Sequence, residues 1–423
     1  LTVNQRPLNA TLARQYDGTT TAAGSTLSSL DALQGGETLT LSGSGTAAGA
    51  NVANGITMSS NGNLALADGT GLASNYSLNS TVINIAKRVL NSSGSKLYDA
   101  NTNALAGAIT LSNLVSGEAV NHSGTATTSS ANAGSYTITN LAGITIADGS
   151  GGTASNYTLT GGTHNFTVNQ RLLNATLARQ YDGTTASAGS TLSSFDALQA
   201  GETLTLSGSG TAASTNVANG ISVSSLGTLA LVNGTGLASN YSLNSASLNI
   251  TQRILNSSGS KTYDANTNAL AGAITLSNLV SGEAVNHSGT ATTSSANAGS
   301  YTITNLAGIT IADGSGGTAS NYTLTGGTHN FTVNQRLLNA TLARQYDGTT
   351  ASAGSTLSSF DALQAGETLT LSGSGTAAST NVANGISVSS LGTLALVNGT
   401  GLASNYSLNS AAINITQRVL TSS

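Results

Sequence analysis

Apolar residues alternate with small polar ones in short runs along the whole chain. Early runs are Leu39-Thr40-Leu41, Leu64-Ala65-Leu66, Tyr76-Ser77-Leu78 and Ile83-Asn84-Ile85; later ones are Ile109-Thr110-Leu111, Tyr136-Thr137-Ile138, Ile144-Thr145-Ile146 and Tyr157-Thr158-Leu159. A period of two turns every second side chain to one face, so these runs predict half-buried antiparallel strands, each bounded by Gly, Asn or Asp. Glu, Lys and Met are scarce, while Ser, Thr, Asn and Gly disfavour helix interiors. A turn or two of helix is expected at most, around 28–33 and its copies.

The strand pattern repeats. Tyr-Asp recurs at Tyr16-Asp17, Tyr98-Asp99, Tyr181-Asp182, Tyr263-Asp264 and Tyr346-Asp347, with gaps alternating between 82 and 83 residues. This period exceeds that of solenoid rungs and propeller blades, so each repeat is expected to close its own small core. The repeats come in two types in the order A-B-A-B-A. Residues 171–252 and 336–417 differ only at Ser247/Ala412 and Leu248/Ile413, and residues 88–170 and 253–335 only at Val89/Ile254 and Leu97/Thr262. The modules are therefore 1–87 (A1), 88–170 (B1), 171–252 (A2), 253–335 (B2) and 336–423 (A3), with 418–423 opening a further repeat and 1–5 copying the last strand of a B module. Each is expected to be a small β-sandwich or β-grasp-like module of about 82 residues. Alternation continues across the boundaries, as in Ile83-Asn84-Ile85-Ala86-Lys87-Arg88-Val89-Leu90, where a flexible linker would be polar and unpatterned. An elongated rod is expected, roughly 35 Å per module at about 3.3 Å per strand residue.

Composition narrows the function. Charged residues make up 7% of the chain and the net charge is −4, with Lys and Arg never clustered, which argues against nucleic acid as a partner. Cysteine is absent, so there is no disulfide framework and no thiolate metal site. No apolar run is long enough to span a membrane, and no basic-then-apolar leader opens the chain, so any secretion signal is expected outside it.

A fixed set of residues recurs in each module: Tyr-Asp, then Gly-Glu (Gly36-Glu37 in the first), then Asn-Tyr (Asn75-Tyr76), with Arg at the boundary. A catalytic Asp/Glu pair is disfavoured, because no other general acid accompanies it and no Trp is present to line a carbohydrate cleft. Asp17, Asp99, Asp182, Asp264 and Asp347 read as turn residues, Asp bonding its own backbone two positions on. Tyr16, Tyr76, Tyr98, Tyr157, Tyr181, Tyr241, Tyr263, Tyr322, Tyr346 and Tyr406 read as the centres of the cores. Arg88, Arg171, Arg253 and Arg336 read as junction residues, clasping Glu37-type carboxylates or junction carbonyls. The loop at Ala67-Asp68-Gly69-Thr70-Gly71 and the one around Asp148 are acidic and Gly-rich, but one Asp each is too few for calcium, and Asn233 and Asn398 replace Asp68 in the later A modules. His122, His164, His287 and His329 lack zinc spacing and are expected at the surface or in turns. No metal, cofactor or catalytic residue is expected. Asn-X-Ser/Thr sequons such as Asn156-Tyr157-Thr158 are abundant and are expected from composition alone.

The succession Tyr16-Asp17-Gly18-Thr19-Thr20, Gly36-Glu37, Asn51-Val52-Ala53-Asn54-Gly55-Ile56 and Asn75-Tyr76-Ser77-Leu78 resembles the YDG repeat domain of large bacterial surface adhesins of the filamentous-haemagglutinin-like, two-partner-secretion type. The B modules depart from it, reading Tyr-Asp-Ala-Asn and Asn132-Ala133-Gly134-Ser135-Tyr136. The resemblance implies a β-rich extracellular stalk on the bacterial cell surface that carries adhesive or anchoring domains lying outside this segment, and implies no catalytic residues. Two other classes compete with a stalk. One is an extracellular filament or sheath in which copies of the chain associate side by side or end to end by strand addition. The other is direct binding of glycans or ice by Thr-rich faces.

Overall fold

The computed structural model describes residues 1–421, so the last two residues of the expected further repeat at 418–423 lie outside the described residues. By compactness these residues form two units, 1–175 with 194–208 and 228–246, and 176–193 with 209–227 and 247–423. The division runs through the middle of module A2 rather than between modules.

Module A1 contains β1 (Arg6–Gln15), β2 (Thr26–Leu30), β3 (Leu39–Ser42), β4 (Thr46–Ala47), β5 (Ala53–Ser60), β6 (Ala65–Asp68) and β7 (Tyr76–Ala86). Five of these form a sheet in the order β2-β1-β7-β5-β4, and β3 and β6 form a separate antiparallel ribbon. The fold is all-β, as the alternation predicts, but the sheet is not wholly antiparallel. Its central pair, β1 and β7, runs parallel from Arg6↔Tyr76 to Gln15↔Ala86, with a register shift after Leu8. Module B1 adds β8 (Arg88–Val89), β9 (Asn91–Leu97), β10 (Asn103–Leu105), β11 (Ile109–Ser112), β12 (Val120–Thr128), β13 (Gly134–Asn140), β14 (Ile144–Asp148), β15 (Tyr157–Thr158) and β16 (Asn165–Asn169). Here too the first strands pair with the last in parallel, β8 with β15 and β9 with β16. In A3, Arg336–Gln345 and Tyr406–Thr416 repeat the β1–β7 pairing.

The parallel pair has a consequence for chain direction. A module's last strand ends beside the end of its first, so the chain leaves at the end opposite the one where it came in, a strand of about ten residues or roughly 33 Å away. It also places the Tyr-Asp motif, early in sequence, at the trailing end of its module: Tyr16 donates its backbone N–H to Ala86 O at 2.9 Å, one residue before the boundary, and Tyr98 does the same to Asn169. Strands hand over with one residue between them, Lys87 between β7 and β8 and Gln170 between β16 and the strand Arg171–Gln180.

Among the described residues helix is confined to single 3-10 turns such as Ala73–Asn75 and Ala106–Ala108. The turn expected around 28–33 is not among them. There β2 continues to Leu30, because Asn9 draws the segment onto β1 through the Asp31 carboxylate and Asp31 N–H bonds Asn9 O.

The core also differs from expectation. Leu8, Leu39 and Tyr76 form a small cluster at the leading end of A1. At its trailing end, Leu12, Tyr16, Ala22, Ala47, Ile83 and Ile85 pack in one cluster with Leu90, Val120 and Tyr157 of B1. The trailing cluster of B1, with Tyr98, Ile109, Ile138, Phe166 and Val168, likewise contains Leu173, Leu204 and Tyr241 of A2. The trailing clusters of A1 and B1 are completed by the next module, whereas the leading cluster of A1 and the cluster of Leu342, Ala377, Ile413 and Ile415 in A3 are built from their own module alone.

Candidate functional site

The residues that recur in every module converge on the junctions. At the A1–B1 junction Tyr16 Oη donates to one oxygen of Glu118 at 2.6 Å, and Tyr157 Oη donates to the other at 2.7 Å. The two rings meet edge to face, centroids 5.5 Å apart at 82°. Val115 N–H donates to Tyr157 Oη at 3.1 Å, so this hydroxyl is satisfied on both sides. The same arrangement joins Tyr98, Glu202 and Tyr241, Tyr181, Glu283 and Tyr322, and Tyr263, Glu367 and Tyr406. The preceding module supplies the Tyr of Tyr-Asp; the following module supplies Glu and the Tyr of Asn-Tyr. A single half-buried carboxylate thus ties two modules with two charge-assisted bonds, each of the class contributing about 1.5–3 kcal/mol, and the aromatic pair adds about 0.5–1.5 kcal/mol.

Burial raises these phenols first, and the bond to glutamate raises them further. Tyr16, Tyr98, Tyr181, Tyr241, Tyr263 and Tyr406 are pushed up to about 12 from an ordinary value near 10. Tyr157 and Tyr322 move the same way for the same reasons.

A second clamp sits beside the first. Asn156 is 1% exposed; its Oδ1 accepts from Val52 N–H and its Nδ2 donates to Asn51 Oδ1, both at 2.9 Å and both across the junction. Asn240, Asn321 and Asn405 repeat these bonds to Asn132-Ala133, Asn216-Val217 and Asn297-Ala298. Asn-Tyr and the Asn-Val or Asn-Ala of the preceding module are therefore two halves of one contact, 104 to 108 residues apart in sequence. Two positions with no neighbouring module among the described residues serve as internal controls. Tyr346 is 41% exposed, against 4–5% for Tyr16, Tyr98, Tyr181 and Tyr263, and Asn75 is exposed. Tyr76 still donates to Glu37 within its own module.

The boundary arginines do not clasp these glutamates. Arg88 donates to Asn113 O at 2.6 Å and Asn113 Oδ1 at 2.9 Å, and reaches Tyr16 O at 3.4 Å; Arg253 repeats this on Asn278 and Tyr181. Arg336 reaches Tyr263 O at 3.5 Å and Gln364 Oε1 at 3.2 Å, and Arg171 bonds Gln199 Oε1 at 3.1 Å. Junction carbonyls are the cross-module partners where there are any, because the glutamate oxygens are already filled by hydroxyls.

Asp17 makes the expected turn, its Oδ1 accepting from Thr19 N–H at 3.0 Å with Gly18 at φ +78°, and Asp99 does the same for Asn101 with Ala100 at φ +62°. Sequence reasoning missed its other partner: Arg14, Lys96, Arg179, Lys261 and Arg344 pair with Asp17, Asp99, Asp182, Asp264 and Asp347. The signal was visible as a cation three residues before each aspartate. The carboxylates thus have separate structural partners, Asp with Arg or Lys and Glu with tyrosines.

The acidic loops use one acceptor only. Asp68 Oδ1 accepts Ala73 N–H at 2.7 Å, and Asn233 and Asn398 accept the equivalent bond at 2.7 Å, so an amide serves as well as a carboxylate. No group of three or more potential metal ligands occurs among the described residues. Of the histidines expected at the surface or in turns, His122 and His287 sit half-exposed on strands and the other two are buried. His164 and His329 are 9% exposed, and His164 donates from Nε2 to Leu159 O at 2.7 Å while Nδ1 accepts from Ser92 at 2.9 Å, bridging first and last strands of B1. His122 bonds the carbonyls of Ala106 and Ile109. The sequon at Asn156 is closed to modification by the junction itself.

Comparison with protein families agrees with this repeat structure. The YDG domain matches five times, at residues 3–83, 86–164, 171–250, 246–329 and 334–413. No curated protein matches the chain.

Proposed function

The chain belongs to the YDG domain family in five consecutive copies, and on that premise we propose that it is a structural stalk of a secreted bacterial surface adhesin, holding an adhesive domain away from the cell. The observation that carries this reading is the junction. In A1, B1, B2 and A3 a parallel strand pair passes the chain from one end of the module to the other, and each junction fixes its neighbour with a Tyr–Glu–Tyr contact and an Asn clamp, joined at the first two by a shared apolar cluster. A spacer needs this: reach from direction, stiffness from junctions without a linker. Its partners in this reading are the adhesive and anchoring domains beyond this segment. No helix among the described residues is long and apolar enough to cross a membrane.

A second reading, an extracellular filament built from copies of the chain, draws on the free edge of β2, which pairs only with β1 and carries the uncharged sequence Thr26-Leu27-Ser28-Ser29-Leu30. Small-angle scattering over a concentration series separates the two. The stalk requires a monomer with a maximum dimension on the order of 170 Å at about 3.3 Å per strand residue. A collapsed or freely jointed particle overturns it, and growth with concentration supports the filament.

A further inference from the structure

The two module types meet in strict alternation, and the junction geometry supplies a reason. The residue after each Tyr-Asp pair is left-handed in both types, yet it is Gly18 and Gly183 in A modules (φ +78° and +77°) and Ala100 and Ala265 in B modules (φ +62° and +64°). Across the junction, the residue three before the glutamate is Val115 or Val280 in B modules and Gln199 or Gln364 in A modules. These positions are equivalent, since in each case the backbone N–H donates to the following module's Asn-Tyr hydroxyl at 3.1 Å. Glycine faces valine at the two A–B junctions, and alanine faces glutamine at the two B–A junctions.

A methyl group on Gly18 would lie 2.9 Å from Val115 Cγ1 and 3.3 Å from Glu118 Oε1; at Gly183 the distances to Val280 and Glu283 are the same. On Gly348, which no described B module follows, it meets nothing nearer than Tyr346 Oη at 3.9 Å. Valine is stiff at χ1, and Glu118 is held by two hydroxyls, so neither neighbour yields cheaply. We propose that this residue pair is a steric pairing code: a module beginning with the valine surface accepts only a glycine-type trailing end, so a B module can follow an A module but not another B. The junction then excludes consecutive B modules, and the rest of the alternation is inherited through duplication. The code does not depend on the stalk reading, because it concerns only which module surfaces fit.

A double-mutant cycle in the full chain tests it, read by hydrogen exchange of the segment around Val52, whose amide lies in the same junction and whose sequence through Met58 is unique to A1. Gly18→Ala is expected to lower protection there about tenfold. Val115→Gln alone lowers it less, and Gly18→Ala/Val115→Gln, which recreates the alanine–glutamine pair, recovers most of the loss. Strictly additive effects, with the double variant no better protected than Gly18→Ala, would overturn the code. Recovery identifies the clash as the cause, since the left-handed backbone cost of alanine at position 18 is present in both variants.

Discussion

Asn156→Ala against Asn75→Ala is the most discriminating test of the junction, because the two residues hold the same place in the repeat and only Asn156 has a described module in front of it. Asn156→Ala removes two bonds of 2.9 Å and strands Val52 N–H and the Asn51 amide at a half-buried surface. Neutral hydrogen bonds contribute about 1 kcal/mol each, and an unsatisfied donor adds to the cost, so about 2 kcal/mol is expected, roughly a 30-fold rise in local opening. Asn75 is exposed, and its replacement should stay within about 0.5 kcal/mol. Hydrogen exchange with mass spectrometry reads both variants through the peptide holding Val52 and Met58. Equal protection of Val52 in Asn156→Ala and wild type would refute the clamp, and so would an equal loss in Asn75→Ala.

Glu118→Ala should cost on the order of twice what Glu37→Ala costs, because Glu118 accepts from Tyr16 and Tyr157 whereas Glu37 accepts from Tyr76; chemical denaturation of each variant checks the ratio. Asp68→Asn should leave the melting temperature unchanged, as Asn233 and Asn398 already make the same bond, and added calcium should not shift it in either protein. Alkali should loosen the junctions. An unfolded tyrosine ionises near pH 10 and the junction tyrosines near 12, so the unfolded chain releases protons first. The tyrosines' contribution is whole below pH 10 and disappears as pH rises to about 12. Melting temperatures flat between pH 9 and 12 would contradict that sign.

Much of the module was legible in the chain. The alternation marked the strands, Leu39–Ser42, Ile109–Ser112 and Ile144–Asp148 among them, because burial on one face of a strand leaves a period of two in the sequence. Asp17-Gly18 marked its own turn, since an Asx turn is closed by residues two apart. The recurring tyrosines were recognisable as core residues, but not which core they serve. Tyr16 and Tyr157 share one carboxylate 102 residues from the first and 39 from the second, and Asn156 finds Val52 over 104 residues. Local pattern carries no information about such pairings. The parallel alignment of β1 with β7 decided them, by bringing an early motif to the trailing end of its module and facing it with the next. By itself the sequence determined a β module repeated five times, because strands and turns are written in neighbouring residues. Only the tertiary structure decided that the repeated motifs are junction contacts and that the trailing clusters of A1 and B1 are shared with the next module, because those depend on which ends of the sheet the fold leaves open.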